Sequence, residues 1–397
     1  MRKLSAQPTY SASGRGRALG AGAVAHKQLH GSILLLPLLL NCGGSGQPSA
    51  DAPNADASHA EDTGDAPLQQ YPATDGAAED IGQAEPPCVA GSDGWCRVSL
   101  PVPVDSLESV WGASADHVWV VASNGAILEW YGSKWTMRDI GLTTLDAGPT
   151  GWLRRVWGAG PNDVWAVGSG VVLHWNGSAW TTVQNDPSMT LASVWGTDAS
   201  HVWMVGRREN DALILFWDGS TLSQQSITYP EFNDAGSNDS GLYPSDVDYR
   251  DLRDVWGTRA TDVWAITGTT MFHWDGTSWT LTSHVGCPAN TSRAIWGTDA
   301  SHIWIVGGFR APGYVLSWDG ATWTQTPVNG DQLIGVWGRS DSEVWAVGGY
   351  GRDTVAKWDG TAWTTQRLGG AALSGVWGSS AGDLWAVGGD SIWYRRP

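Results

Sequence analysis

Short apolar segments separated by Gly, Asp, Asn and Ser recur from residue 88 to residue 397. Each unit of about 40 residues contains, in order, LxxVWG, DVWAVG, xxLxW and xWTxx, and these segments are rich in β-branched and aromatic residues. No stretch has the period of an amphipathic helix. The pattern therefore predicts four short antiparallel strands in each unit and an all-β fold.

The tryptophan positions indicate how many units the chain contains. The first segment occurs seven times, and the second segment places another Trp eight residues later. Of the 28 tryptophans only Trp95 and Trp152 fall outside the repeat positions, so most of them are expected to form the core. The seven first-segment residues are Trp111, Trp157, Trp195, Trp256, Trp296, Trp337 and Trp377.

The segments WDGTSW, WNGSAW, WDGATW and WDGTAW lie between the third and fourth strands. Their Asp-Gly and Asn-Gly dipeptides favour primed hairpin turns, because Gly tolerates positive φ. Between the first and second strands, turns such as GTDASH end in a polar residue that can bond turn amides.

The last unit ends at Pro397 without a fourth strand, and the fragment from Asp93 to Val98 resembles the missing one. One arrangement explains both observations. It is a seven-bladed β-propeller of four-stranded antiparallel blades, with the ring closed by the N-terminal strand joining the last blade. A solenoid, the alternative array, would need polar caps.

Charge divides the chain into a leader at residues 1–42, a tether at 43–87 and the propeller at 88–397. Residues 1–50 carry five bases and no acid, and residues 51–87 carry nine acids and no base. The apolar run at 33–40 is too short to span a bilayer and suits a signal peptide. The tether has almost no large apolar side chain and is expected to be disordered. A net charge of -17 makes nucleic acid an unlikely partner.

The stretch Leu39, Leu40, Asn41, Cys42 resembles a bacterial lipobox, in which the cysteine is lipidated, although Asn41 departs from the usual small residue. The resemblance implies an exported protein, either an outer-membrane-anchored lipoprotein or extracellular, that meets a membrane only through lipid on Cys42. The alternative is a disordered leader with a plain thiol at Cys42.

The VWG, DVWAVG and WDGxxW segments resemble the tryptophan-rich β-propeller repeats of secreted bacterial proteins, especially myxobacterial-type lipoproteins, and more distantly tectonin repeats. The turn SWDGATW also resembles the Asp-box of sialidase-like propellers, with one residue fewer between Asp and Gly. This resemblance implies binding or scaffolding and assigns no catalytic residue.

Candidate binding residues lie where the repeat is interrupted. In an antiparallel four-stranded blade, the fourth-to-first and second-to-third connections emerge on one face, and the longest insertion, at about 227–251, is such a connection. Aromatic and charged residues on this face suit a glycan or a protein ligand. The alternative is solvated loops with stray charges. The candidates are Trp152, Arg207, Arg208, Tyr243, Asp246, Asp248, Tyr249, Phe309, Arg310, Tyr350 and Arg352.

Two other function classes stay open, a structural scaffold and a glycan-active enzyme with carboxylates facing one another across the axial pocket. Asp246, Asp248 and Asp251 lack the spacing of an EF-hand loop. The repeated histidines are expected to be scattered around the ring, so we expect no metal site and no cofactor. The protein is expected to be a monomer.

The four cysteines fit an exported protein. Cys88 and Cys96 are expected to form a disulfide that fastens the tether's end to the closing strand. Cys287 is then unpaired, unless it takes one of those two partners.

Overall fold

The computed structural model describes residues 88–90, 94–100, 104, 106–132, 134–138, 140, 152–228, 250–284, 291–309 and 312–396. These residues fall within one compact unit. The expected leader and tether lie outside them, as do Cys42 and Cys287. Within the described ranges the fold is all-β, and they contain no helix long and apolar enough to cross a membrane.

The strands follow the repeats. β1 (Cys88–Ala90) and β2 (Trp95–Val98) come first. The first repeat forms β3 (Leu107–Ser114), β4 (His117–Ala122), β5 (Ile127–Tyr131) and β6 (Lys134–Arg138). The second and third repeats form β7 (Leu153–Gly160), β8 (Asp163–Trp175), β9 (Trp180–Asp198), β10 (His201–Arg208), β11 (Asp211–Trp217) and β12 (Leu222–Gln225).

The remaining strands continue the same plan. β13 (Ile227–Thr228) pairs parallel with β17 of the fourth repeat, which is β14 (Asp254–Arg259), β15 (Asp262–Ile266), β16 (Thr270–Trp274) and β17 (Trp279–His284). The fifth repeat is β18 (Ser292–Asp299), β19 (His302–Gly307), β20 (Gly313–Trp318) and β21 (Trp323–Val328). The sixth is β22 (Leu333–Ser340), β23 (Glu343–Gly349), β24 (Asp353–Trp358) and β25 (Trp363–Gln366), and the seventh is β26 (Gly375–Gly378), β27 (Leu384–Gly388) and β28 (Ser391–Arg395).

The prediction of seven blades in a hydrogen-bonded ring is wrong. The strands form six hydrogen-bonded sheets, and among the described residues no strand pairing joins these sheets into a ring. The second and third repeats share one six-stranded sheet, because β9 runs unbroken through both. Its Trp180–Asn185 part pairs with β8, and its Met189–Asp198 part pairs with β10.

The N-terminal fragment takes a place in the last sheet, whose order is β1-β2-β28-β27-β26. β2 pairs antiparallel with β28, with Trp95 opposite Arg395 and Val98 opposite Ile392. Trp95 is 1% exposed and packs edge-on against Trp345 of the sixth repeat. The missing fourth strand of the seventh repeat is therefore supplied by β2.

Packing between first strands makes the circular contact that strand pairing does not make. The first strands of successive repeats lie against one another, and β26 of the last repeat lies against β3 of the first. At each junction the Trp of one VWG triplet covers the Gly of the next. The contacts are Trp111 on Gly158, Trp157 on Gly196, Trp195 on Gly257, Trp256 on Gly297, Trp296 on Gly338, Trp337 on Gly378 and Trp377 on Gly112.

The second-strand tryptophans form the core between sheets, as expected. Trp119, Trp165, Trp203 and Trp385 are at most 1% exposed. They pack on neighbouring rings, for example Trp203 edge-on against Trp279 at 5.3 Å. The aromatic content of the described repeats is therefore largely structural.

The third-to-fourth hairpins differ from the primed turns expected from their Asp-Gly dipeptides. Gly276 does have a positive φ of 95°, but Trp274 pairs with Trp279, which leaves a four-residue loop. The Asp275 carboxylate accepts the backbone N–H groups of Thr277 at 2.8 Å and Ser278 at 2.9 Å. Asp218, Asp319 and Asp359 repeat this capping, and Asn176 does the same with its amide oxygen.

Candidate functional site

The second-to-third loops and the segments entering the first strands share one face, as predicted. Backbone hydrogen bonds join them, including Ser169 N–H to the carbonyl of Trp152 and Glu209 N–H to the carbonyl of Ser188. Gly349 N–H bonds Gln332 in the same way. We call this surface the rim face.

Three large apolar side chains of the rim face are exposed. Trp152, at the entry to β7, is 50% exposed. Phe309 and Tyr350, in the second-to-third loops of the fifth and sixth repeats, are 70% and 60% exposed. The structure therefore brings these predicted residues to one face, but they are distributed over three repeats rather than gathered in one pocket.

The predicted arginines on this face differ in their engagement. Arg208 bonds Asp186 at 3.2 Å, and Arg352 Nε lies 3.5 Å from Asp331. Asp331 also binds Arg367 at 3.0 Å, so its carboxylate is shared between two cations. Arg207 is exposed near the end of β10, next to the second-to-third loop. Tyr243, Asp246, Asp248, Tyr249 and Arg310 lie outside the described residues.

A second feature of the rim face, which the sequence analysis missed, is a β-bulge at the start of the first strand in five repeats. In the fourth and seventh repeats the residue at the same position donates its N–H to the second-strand residue that pairs with the residue after it. In the first repeat, Leu107 pairs with Ala122 and Ser109 with Val121, which leaves Glu108 as the extra residue. A bulge re-aims the side chain of the extra residue. The residue at this position always comes three positions before the VWG tryptophan, where the repeats differ in sequence. These residues, the bulge ring, are Glu108, Arg154, Ala192, Arg253, Arg293, Ile334 and Ser374.

Two arginines of the bulge ring lie next to each other in the fourth and fifth repeats. Arg253 Nη1 donates to the carbonyl of Ser292 at 2.8 Å, which places its guanidinium beside the residue preceding Arg293. Arg253 Nε lies 3.6 Å from Asp251. Burial lowers the pKa of the Arg293 guanidinium, and the like charge of Arg253 lowers it further.

The buried carboxylate of Asp254 links the first strands next to this part of the bulge ring. Asp254 accepts the Ser193 hydroxyl at 2.6 Å and the Ile295 N–H at 2.9 Å, and Arg155 Nη2 lies 3.3 Å from it. One side chain thus ties together first strands of the second, third, fourth and fifth repeats. Both of its oxygens are engaged, which does not suit a catalytic acid or base facing a partner carboxylate across the centre.

The histidines belong to strand pairing within single repeats. His174 bonds Asp163 at 2.7 Å and stacks on Trp165 at 4.1 Å, and the fourth repeat has the same pairing with His273 and Asp262. In the first repeat the histidine, His117, is on the second strand and the acid, Glu129, is on the third strand. No group of three His, Cys, Asp or Glu in the described ranges is arranged to hold a metal ion.

Two clefts in the described structure do not coincide with the predicted residues. The larger, about 310 Å³, lies between the first and last repeats and includes Asp116, Trp377 and Ser379. The smaller, about 250 Å³, is formed by Asn329, Thr354, Thr365 and neighbouring residues. Neither is a deep pocket of the kind that encloses a small substrate.

Cys96 is bonded in a disulfide. Its partner's side chain is outside the described part of the chain, so the pairing of Cys96 with Cys88 stays a prediction. The backbones of the two residues lie on paired strands, with Cys88 opposite Val98 and Cys96 opposite Ala90.

Comparison with solved structures supports the fold. No protein-family model matches the chain, and no curated protein matches its sequence. YCF48 bound to D1 peptide is 15% identical with a TM-score of 0.57, covering 79% of this chain and all of that one. YCF48 from Cyanidioschyzon merolae is 17% identical with a TM-score of 0.57, covering 77% of this chain and 99% of that one. The WD40 β-propeller domain of Doa1 is 13% identical with a TM-score of 0.57, covering 75% and 95%. At these identities the likeness establishes that the chain has a β-propeller fold and assigns it to no family.

Proposed function

We propose that this chain is a non-enzymatic β-propeller module that binds a protein segment on its rim face. The observation that carries the proposal is the exposure of Trp152, Phe309 and Tyr350 on one face, interspersed with arginines. Exposed aromatic residues and arginines are the side chains most enriched at protein-binding hot spots. Among the described residues, Tyr131 is the one other large aromatic side chain that is exposed, and it lies at the opposite end of its strand from the rim face.

The solved propellers support a protein rather than a small molecule as ligand. One of them, YCF48, is bound to a peptide of D1, and its likeness covers 79% of this chain. The two clefts described above are open rather than enclosed, which also favours an extended ligand. A glycan is the second candidate, since exposed rings also stack on sugars, and the experiment below separates the two.

The module is proposed to act outside the cytoplasm as a monomer, at the outer membrane through lipid on Cys42 or free in the medium. The tryptophan-rich repeats similar to those of secreted lipoproteins support this location. The disulfide at Cys96 supports it as well, because disulfides persist in oxidising compartments.

The test compares binding by the full chain with that of two double variants. In Trp152→Ala/Tyr350→Ala two rim-face rings are removed. In the control, Tyr131→Ala/Lys134→Ala, two exposed side chains are removed at the third-to-fourth hairpin between β5 and β6, at the opposite end of these strands from the rim face. Each protein is presented to a displayed peptide library and to a glycan array. The proposal expects peptides that bind the wild type and the control and lose at least about tenfold in affinity for the rim variant. Glycan binding alone, or equal binding by both double variants, would refute it.

A further inference from the structure

Arg293 of the bulge ring shares one acid with Arg253, because Asp251, which lies 3.6 Å from Arg253 Nε, also attracts the charge of Arg293. Arg293 itself makes no hydrogen bond or ion pair with any residue in the described ranges, whereas Arg253 has Asp251 and Arg155 has Asp254. A like charge beside it and partial burial both oppose its charged form. Holding two guanidinium groups together in this way costs free energy, and an anion seated between them would recover it.

The surroundings select the kind of anion. The chain carries a net charge of -17, so most of its surface repels acids, and the arginines of the bulge ring are a local exception. Arginine binds carboxylates through two parallel N–H···O bonds, which fixes direction as well as charge. Tyr314 adds a hydroxyl nearby, where it meets Thr291 at 3.0 Å and Ser292 at 3.2 Å. Asp251 acts on both arginines, so one positive charge of the pair stays uncompensated by this acid.

We infer that Arg293, with Arg253 beside it, binds a carboxylate group of a protein ligand at the inner end of the rim face. This inference rests on the proposed function and specifies one anchor of it. The carboxylate comes either from an acidic side chain or from a chain terminus, and both sources present the same two oxygens. Arg154, exposed in the second repeat, is a further cation on the same ring.

The test uses the full chain and three rhodamine-labelled hexapeptides, measured by fluorescence anisotropy at low and at physiological salt. Hexaglutamate amide offers side-chain carboxylates only. Hexaglutamine with a free C-terminus offers a terminal carboxylate only, and hexaglutamine amide offers none. We expect at least one carboxylate peptide to bind, more weakly at higher salt, and hexaglutamine amide not to bind. The peptide that binds identifies the source.

The variant Arg293→Gln is expected to weaken that binding about tenfold or more, as loss of a charged hydrogen-bond donor does. Lys134→Gln is the matched control, because it removes the same charge from an exposed site on the third-to-fourth hairpin. It should leave affinity within about twofold, as expected for a charge remote from the ligand. Arg293→Lys should fall between, since an ammonium cannot make the forked contact. Thermal unfolding of each variant tests that the fold is retained.

Equal effects of Arg293→Gln and Lys134→Gln overturn the inference, and so does equal binding of all three peptides or binding of none. The proposed function is judged separately by the Trp152 and Tyr350 variants. Loss of library binding in those variants, with no effect of Arg293→Gln on the hexapeptides, would leave the proposed function standing and remove only the carboxylate anchor.

Discussion

The indole of Trp377, in the last repeat, lies so close to Gly112, in the first, that a Cβ at Gly112 would be 2.5 Å from its Cη2. The same Trp-on-Gly contact recurs at each junction between repeats, which explains why WG is present in all seven copies. At this junction it joins residues that are far apart in the chain. The contact between the last and first repeats therefore requires a residue without a Cβ at position 112.

Gly112→Ala should destabilise the fold by about 1–3 kcal/mol, because the added methyl overpacks a rigid ring. Gly160→Ala is the control, because nothing lies within 4 Å of a Cβ there and Gly160 also lies in a first strand, two residues after Gly158, the counterpart of Gly112. Urea denaturation monitored by tryptophan fluorescence measures both. A loss in Gly160→Ala as large as that in Gly112→Ala would contradict the explanation.

The hairpin loops predict a pH dependence. Hydrogen bonds from the Thr277 hydroxyl and the following N–H groups lower the pKa of Asp275 from 3.8 to about 2, and those from Thr361 and Ala362 do the same for Asp359. A carboxyl with a lowered folded-state pKa stabilises the protein above its unfolded pKa and loses that contribution as pH falls. Melting temperature should therefore decline as pH drops from about 4 to about 2.

Asp275→Asn/Asp359→Asn tests this assignment, because Asn176 caps the equivalent loop naturally. The double variant should have a flatter dependence of melting temperature on pH between 2 and 4 than the wild type. An identical slope would mean that other carboxylates cause the decline. Asp51→Asn/Asp56→Asn, outside the described propeller, controls for the change in net charge.

The pairing of His117 with Glu129 in the first repeat predicts that exchanging the two residue types restores the stability lost in a single substitution. His117 bonds Glu129 at 2.7 Å, and Arg138 also contacts Glu129, which is 2% exposed. The second repeat has Asp163 and His174 at these two positions. His117→Asp alone brings two carboxylates together and should cost roughly 2–4 kcal/mol, in the range for a broken buried pair. Adding Glu129→His should restore at least half of the loss.

A double-mutant cycle by urea denaturation measures that coupling. A coupling free energy near zero between positions 117 and 129 would show that the pair contributes nothing beyond its separate parts.

The disulfide predicts a specific cross-link. Peptide mapping without reduction should recover Cys88 joined to Cys96, and Cys88→Ser should lower stability by about 2–3 kcal/mol in the chain-entropy account. The physical reason is that the cross-link between β1 and β2 restricts the unfolded chain, so removing it increases the entropy gained on unfolding. Recovery of Cys96 linked to Cys287 would contradict the assignment.

The repeat made much of the fold predictable. Trp95 was placed beside the last repeat because an isolated strand and a missing strand each required a partner, and β2 does pair with β28. The number of sheets was not predictable in this way. Pairing in β9 depends on whether residues 186–188 stay extended, and a short polar segment containing Pro187 indicates a turn rather than a continuing strand.

The site was predictable to a smaller extent. Trp152, Phe309 and Tyr350 stood out because each interrupts the repeat, and they are exposed on the expected face. Arg253 and Arg293 did not stand out, since they lie inside the repeated segment. The placement of Arg293 comes from a bulge, which adds one residue to the strand and breaks the alternation on which sequence reasoning relies. The variable position three before each VWG tryptophan was the available signal.

The bulge ring also shows that packing residues and the proposed ligand-contacting residues occupy different positions of each repeat. The Trp and Gly of each triplet pack against the neighbouring repeats, so we expect substitutions there to destabilise the fold. The residue three positions before the Trp varies among the repeats. Point substitutions there can alter the chemistry presented at the centre of the face one repeat at a time. The architecture thereby offers seven separately adjustable positions on a constant frame, a route by which related chains can acquire different ligands without being refolded.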